Sequence, residues 1–322
     1  TNTTVPTRTI NHTGTDLFSG GDYGFFVYDS AEDSWIPYNL DLYEFVTVDD
    51  LDTLVVMMDS TTPADPSTGI YETITNTLGV ARLPDIDNDQ RLSVLLHNVH
   101  DRGETWNNTS NGTEGGIDPI SGYVRFADNS VLGRSNRHDM IYLDTKDGGV
   151  DSRAAALAHQ IVRLMMFTSD YDEERWVLEA ISYIGEKLCG YELPSTWVDF
   201  AQKATAAATL SLNSQWTVNP NGGSAIGELH TKAALWMTYL MENLGGIDFI
   251  TALMDEPANG VTGIGNTAAE FAPVGVEELT FSDIYTSWAI ASAINDVSHL
   301  NPVTGFKYGY QDSSYTDMLD SF

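Results

Sequence analysis

Ala154–Phe167 (AAALAHQIVRLMMF) is an apolar stretch whose spacing predicts a helix, interrupted by three polar residues, His159, Gln160 and Arg163. His159 and Arg163 stand at i and i+4, on one face and one turn apart. A few residues later Glu174–Glu186 again has helical spacing and sets Glu179 among apolar neighbours. Buried-looking charges on two successive helices require partners, because an unpaired charge in an apolar interior costs several kcal/mol. A bound metal, a salt bridge or a partner chain would each satisfy them. A second candidate is Asp85-x-Asp87-x-Asp89, three carboxylates at alternate positions of a turn, which opens like a calcium loop. Gln90 then occupies the glycine position and Leu96 the position of the bidentate Glu, so the run reads either as a site for calcium or another hard cation or as a plain acidic turn. Cys189 is the only cysteine, which excludes an internal disulfide, a Cys-rich zinc site and a redox pair. Its place between an apolar helix and Gly190 predicts a buried structural thiol.

The elements that must position these residues change character along the chain. Residues 1–21 read as a Thr-rich tail or linker, 22–62 as a β-rich N-terminal region, 63–310 as the main domain and 311–322 as a C-terminal tail that could lead into a longer polypeptide. Strands are expected at Tyr23–Tyr28, Trp35–Val48, Leu54–Met58, Leu92–Val99 and Met140–Leu143, from their aromatic, β-branched or continuous apolar composition. Ile70–Leu78 has helix-like spacing, and Asp101–Gly122 reads as a long Gly/Asn/Thr loop. Helices are expected over Arg153–Phe167, Glu173–Leu188, Thr196–Leu210, Ile226–Leu244 and Phe281–Val297, with Gly190 and Gly245 as stops. Strands first and helices afterwards argue for an α+β fold with a mostly helical C-terminal half.

The chain has 322 residues, 42% hydrophobic, enough for one large core or two modest ones. Its 46 acidic residues against 15 basic ones leave a net charge of −31. A field of that sign repels phosphate backbones and anionic headgroups, so neither nucleic acid nor a membrane surface is an expected partner. No apolar run approaches the length that crosses a bilayer. The acidity matches a surface adapted to molar salt, where the Debye length falls to about 3 Å and self-repulsion is screened. Sequons at Asn2, Asn11, Asn107, Asn108 and Asn111, three of them crowded into one polar stretch, favour export and glycosylation. A start at Thr1 without a signal-like segment fits a processed product or part of a longer polypeptide.

The paired segments around His159 and Glu179 resemble the gluzincin metallopeptidases, in particular their hyicolysin-like branch. There a helix with HExxH supplies two zinc ligands and the general base, and a following helix supplies a Glu as third ligand. The resemblance extends to Asp85-Ile-Asp-Asn-Asp-Gln-Arg-Leu-Ser-Val-Leu-Leu, to Arg137-His-Asp-Met-Ile-Tyr-Leu-Asp-Thr145 before the zinc helix and to Leu212-Asn-Ser-Gln-Trp216. It continues through Trp236-Met-Thr-Tyr-Leu-Met-Glu-Asn-Leu-Gly-Gly246 and Phe281-Ser-Asp-Ile-Tyr-Thr-Ser-Trp-Ala-Ile-Ala291, covering Pro63 to Tyr310. It implies a zincin-type, metallopeptidase-like domain after the β-rich N-terminal part. Aligned on HExxH, however, the chain reads His159-Gln-Ile-Val-Arg163. His159 keeps the first ligand position and Glu179 the third. Gln160 replaces the general base with an amide that takes no proton near neutral pH, and Arg163 replaces the second ligand with a guanidinium that has no lone pair to give. Two ligands beside a fixed positive charge do not make a catalytic zinc site.

These readings converge on an inactive pseudo-peptidase in which His159, Gln160, Arg163 and Glu179 are vestigial positions and neither zinc nor another cofactor is expected, calcium at Asp85, Asp87 and Asp89 apart. An Arg163–Glu179 ion pair in place of the metal is its structural corollary. The expected role is an extracellular structural, adhesive or assembly module, on the surface of a halophilic archaeon or on its virus, with a protein or glycan partner or a second copy of itself. Two alternatives stand beside it: an active zinc endopeptidase with an atypical site, and a carbohydrate- or peptide-binding module that reuses the cleft.

Overall fold

The computed structural model describes residues 22–29, 34–42, 48–79, 83, 92–97, 121–129, 139–144, 149–191, 225–276 and 278–311. They form a mixed α+β fold in two compact units, one within Thr1–Thr168 and Gly185–Tyr191, the other within Ser169–Ile184 and Glu192–Phe322.

The first unit is built on a five-stranded sheet. Strands β1 (Asp22–Asp29) and β2 (Ser34–Leu42) pair antiparallel, and β1 pairs antiparallel on its other side with β3 (Ser93–His97). β3 runs parallel to β5 (Met140–Asp144), and the short β4 (Gly122–Val124) closes the edge antiparallel to β5. The order is therefore β2-β1-β3-β5-β4, and strands from the 22–62 and 63–310 stretches share one sheet. Every residue of β5 is buried, as a continuous apolar run flanked on both sides by strands should be. Tyr142 stacks on its cross-strand neighbour Tyr123 with ring centroids 4.6 Å apart, and its hydroxyl donates to Asp128 at 2.5 Å.

Two helices follow β2 in the chain: α1 (Val48–Asp59), which packs on β1 and β2, and α2 (Ile70–Leu78), which packs on α1. The expectation of a strand at Leu54–Met58 is overturned, since those residues belong to α1. Leu51, Leu54 and Met58 are fully buried while Val56 stays half exposed, a helical period and not an alternating one. Asp49 and Asp50 in the first turn favour that start through the helix dipole. β2 likewise ends at Leu42, and Val48, expected to close that strand, opens α1. The long helices α3 (Val150–Ser169) and α4 (Arg175–Leu188) contain the two segments that carry the candidate site.

In the second unit α5 (Ala225–Asn243), α6 (Ile247–Asp255), α7 (Gly260–Glu270) and α8 (Phe281–Ile294) precede a small hairpin, β6 (Asp296–Leu300) with β7 (Lys307–Tyr308). Aromatic residues fill its core. Trp236 meets Trp288 edge to face at 5.2 Å, the Trp288 indole donates to the Tyr310 hydroxyl at 2.8 Å, and the Tyr239 hydroxyl donates to the Lys307 carbonyl at 2.8 Å. A reciprocal Thr280/Asp283 capping box starts α8. The helix expected to run to Val297 stops earlier, because Asn295 adopts a left-handed φ of 47° and accepts the Tyr310 amide on its side chain. The expected helix Thr196–Leu210 lies outside the described residues.

Candidate functional site

Helix α3 follows β5 in the chain, and Arg153 in its first turn donates to the Asp144 carbonyl at the strand's end, 3.3 Å away. One face of α3 is almost wholly apolar, with Leu157, Ala158, Ile161, Val162, Leu164 and Met165 inaccessible to solvent. His159 and Gln160 are carried into that interior, at 6% and 4% exposure, while Arg163 one turn on is half-buried.

Each of the two buried polar groups has an identifiable partner. The His159 Nδ1 lies 2.7 Å from Glu186 Oε1. Glu186 can reach it because α4 closes on α3 at Gly185: a Cβ there would meet Val162 Cγ2 at 2.5 Å and the Ala158 carbonyl at 2.9 Å. A carboxylate behind one ring nitrogen is how a ligating histidine is commonly held to present the other. Gln160 donates from Nε2 to the carbonyl of Gly122 on edge strand β4, at 3.1 Å, and its Oε1 is buried with no hydrogen-bond partner among the described residues. The amide is thus committed through its donor to the sheet and offers no basic group.

Glu179, on α4 in the second unit, is 1% exposed and forms an ion pair at 3.5 Å with Arg175 one turn before it. Beyond that one-turn spacing, Arg175 carries no sign in the sequence pattern that it would pair with Glu179. Glu186 was also missed. Its only sequence signal is that it lies seven residues after Glu179, and so on the same helical face. Asp85, Asp87 and Asp89 lie outside the described residues, as do all five sequons. Cys189 is fully buried, and burial pushes its thiol up to about 12, as an inert structural cysteine requires. His299 is an exposed histidine bonded to Asp296 at 2.6 Å.

The turn between α3 and α4 is crowded with acids: Asp170, Asp172, Glu173 and Glu174. Burial, then the neighbouring Asp172 carboxyl, raises the Asp170 carboxyl above its ordinary value, and burial holds Glu173 up at about 7. In the same unit Lys232 is 2% exposed, with its ammonium 5.6 Å from the centre of the Trp288 ring, and burial lowers it to about 8.

Comparison with protein-family models and with curated proteins finds no match for the chain. No helix among the described residues is long and apolar enough to cross a membrane.

Proposed function

We propose that this chain is a catalytically inactive, metallopeptidase-like domain that serves outside the cell as a structural, adhesive or assembly module of a halophilic archaeon or its virus. The observation that carries the reading is the hydrogen bond from Gln160 to the Gly122 carbonyl. At the position of the peptidase base stands a neutral amide, buried and engaged with the edge strand, which cannot activate water. The run of elements supports the same kinship, since strand β5 leads in sequence to α3 and α4 follows, the order the resemblance implies. Export rests on the crowded sequons at Asn107, Asn108 and Asn111 and on the acidic composition.

One observation favours the active-endopeptidase alternative: the Glu186 carboxylate behind His159 is the support a zinc-binding imidazole uses. We read it as ligand geometry that outlasted the ligand set, because Arg163 cannot coordinate. Protein purified in molar KCl tests this through its zinc content and through casein cleavage with and without chelator. No stoichiometric zinc and no chelator-sensitive cleavage is the expected result. Zinc near one equivalent per chain together with chelator-sensitive proteolysis would overturn the proposal. The Gln160→Glu/Arg163→His double variant is expected to gain zinc where the wild type has none.

A further inference from the structure

Among the described residues eight large hydrophobic side chains are exposed, and four of them fall within ten residues of the second unit: Ile294, Val297, Leu300 and Val303. Ile294 ends α8, Val297 and Leu300 lie on β6, and Val303 lies in the turn to β7. Each is between 44% and 62% exposed. Single exposures scattered over a surface are ordinary, but a run of them along one hairpin marks a surface that a partner covers.

These side chains are not left in solvent by a loose loop. The Asn301 side chain donates to Ser287 Oγ on α8 at 2.8 Å and accepts the Val303 amide at 2.8 Å. The Ser287 and Thr304 hydroxyls meet at 2.9 Å, and both residues are inaccessible to solvent. After β7, Tyr310 is held by the Trp288 indole on its hydroxyl and by the Asn295 side chain on its amide. β6 meets β7 only at Asp296–Tyr308 and Leu300–Lys307, so residues 297–299 bulge out of the ladder. A surface fixed in this way loses little conformational freedom when it is covered.

Charge indicates what covers it. The chain carries one acid in every seven residues, 46 in 322, yet residues 284–310 contain one, Asp296, against one basic residue, Lys307. Asp296 is itself engaged by His299 at 2.6 Å and by the Ser298 hydroxyl. On a chain of net charge −31 the hairpin is therefore a neutral, apolar place. A cationic partner would find little charge to pair with here and would be drawn to acidic surface elsewhere. A second copy brings the same neutral hairpin, so two copies can meet there without setting like charges opposite each other. Molar salt screens the remaining long-range repulsion between them.

We propose that the β6–β7 hairpin, with Ile294, Val297, Leu300 and Val303, is an isologous contact between two copies of this chain, formed in molar salt. Four half-exposed side chains are fewer than the ~20–30 residues a side of a standard interface, so the dimer is weak and exchanges with monomer. The inference gives the assembly role a surface, and it does not rest on the peptidase kinship, since it needs only the hairpin and the charge.

Sedimentation velocity of the whole chain in molar KCl, over a wide range of protein concentration, provides the test. The expected result is a monomer–dimer equilibrium whose dissociation constant rises about tenfold or more in Leu300→Asp/Val303→Asp. Both side chains are exposed, so that variant should keep the wild-type melting temperature. Should it fail to fold, Leu300→Cys with a bismaleimide decides the matter, because Cys189 is fully buried and does not react. Copies should cross-link through Leu300→Cys and not through Val56→Cys, which is similarly exposed on α1. Self-association that Leu300→Asp/Val303→Asp leaves unchanged, or cross-linking as strong through Val56→Cys, would overturn the proposal. So would a chain that stays monomeric at every concentration in molar KCl, because the hairpin would then be covered by a different protein or by a segment of its own chain. Either failure would leave the zinc and casein measurements untouched.

Discussion

Glu186 and His159 lie 27 residues apart in sequence, yet their side chains meet at 2.7 Å in a mostly buried setting. A charge-assisted bond of this kind leaves a costly remainder when one member is removed. Glu186→Ala should therefore destabilise the chain by about 1–3 kcal/mol, and Glu186→Gln, which keeps an acceptor, by less. Denaturant unfolding at fixed salt measures both, and an alanine variant as stable as wild type would show that the pair contributes nothing. Lys232 makes a prediction in pH. Its ordinary value near 10.5 is lowered by burial to about 8, so between those values the unfolded state binds more protons than the folded one. Stability contributed by this group must then rise as pH increases from about 8 to 10.5 and be flat below, where both states are protonated. Comparison with Lys232→Met cancels the other titrations. The wild type should gain on the variant across that window, and parallel curves would refute the assignment.

Helix α1 is where pattern reading failed, and the reason is physical. Leu54-Val-Val-Met-Met58 is a continuous apolar run of β-branched and unbranched residues, which fits a buried strand as well as a helix when taken alone. The helical period emerges only when Leu51 is included and Val56 is seen to face solvent. The two assignments predict different mutational patterns. Leu54→Ala should cost about 2–5 kcal/mol as a buried truncation, and Val56→Ala should be close to neutral. Comparable losses at both positions in denaturant unfolding would contradict the helix. Helices α3 and α4 were legible because their apolar spacing is long and sustained, and they carried His159, Gln160, Arg163 and Glu179 with them. Strand β4, at three residues, and the Gly-rich α7 fall below what periodicity can register. What the local pattern could not supply was the pairing: Glu186 with His159 depends on the close approach at Gly185, and Gln160 with Gly122 on the edge strand. Both are tertiary facts with no signature in spacing.

At the scale of the whole molecule, a net charge of −31 sets the conditions under which these contacts can exist. Self-repulsion among carboxylates opposes compaction, and unfolding relieves it by moving like charges apart. Adding monovalent salt shortens the Debye length to about 10 Å at 0.1 M and about 3 Å at 1 M, so most of the relief should come before molar concentration and then level off. Melting temperature should accordingly rise from dilute buffer towards molar KCl or NaCl, with little distinction between the two cations, because screening depends on ionic strength and not on identity. The hydrophobic core adds a second salt response, since strongly excluded anions reinforce apolar burial. Chloride salts keep that contribution small, and sulfate at matched ionic strength would expose it as a further rise. Thermal melts over a KCl series, repeated with NaCl and with sulfate at matched ionic strength, separate the two. A melting temperature that is flat or falls between dilute buffer and molar KCl would rule out charge screening as what holds this acidic chain in its fold.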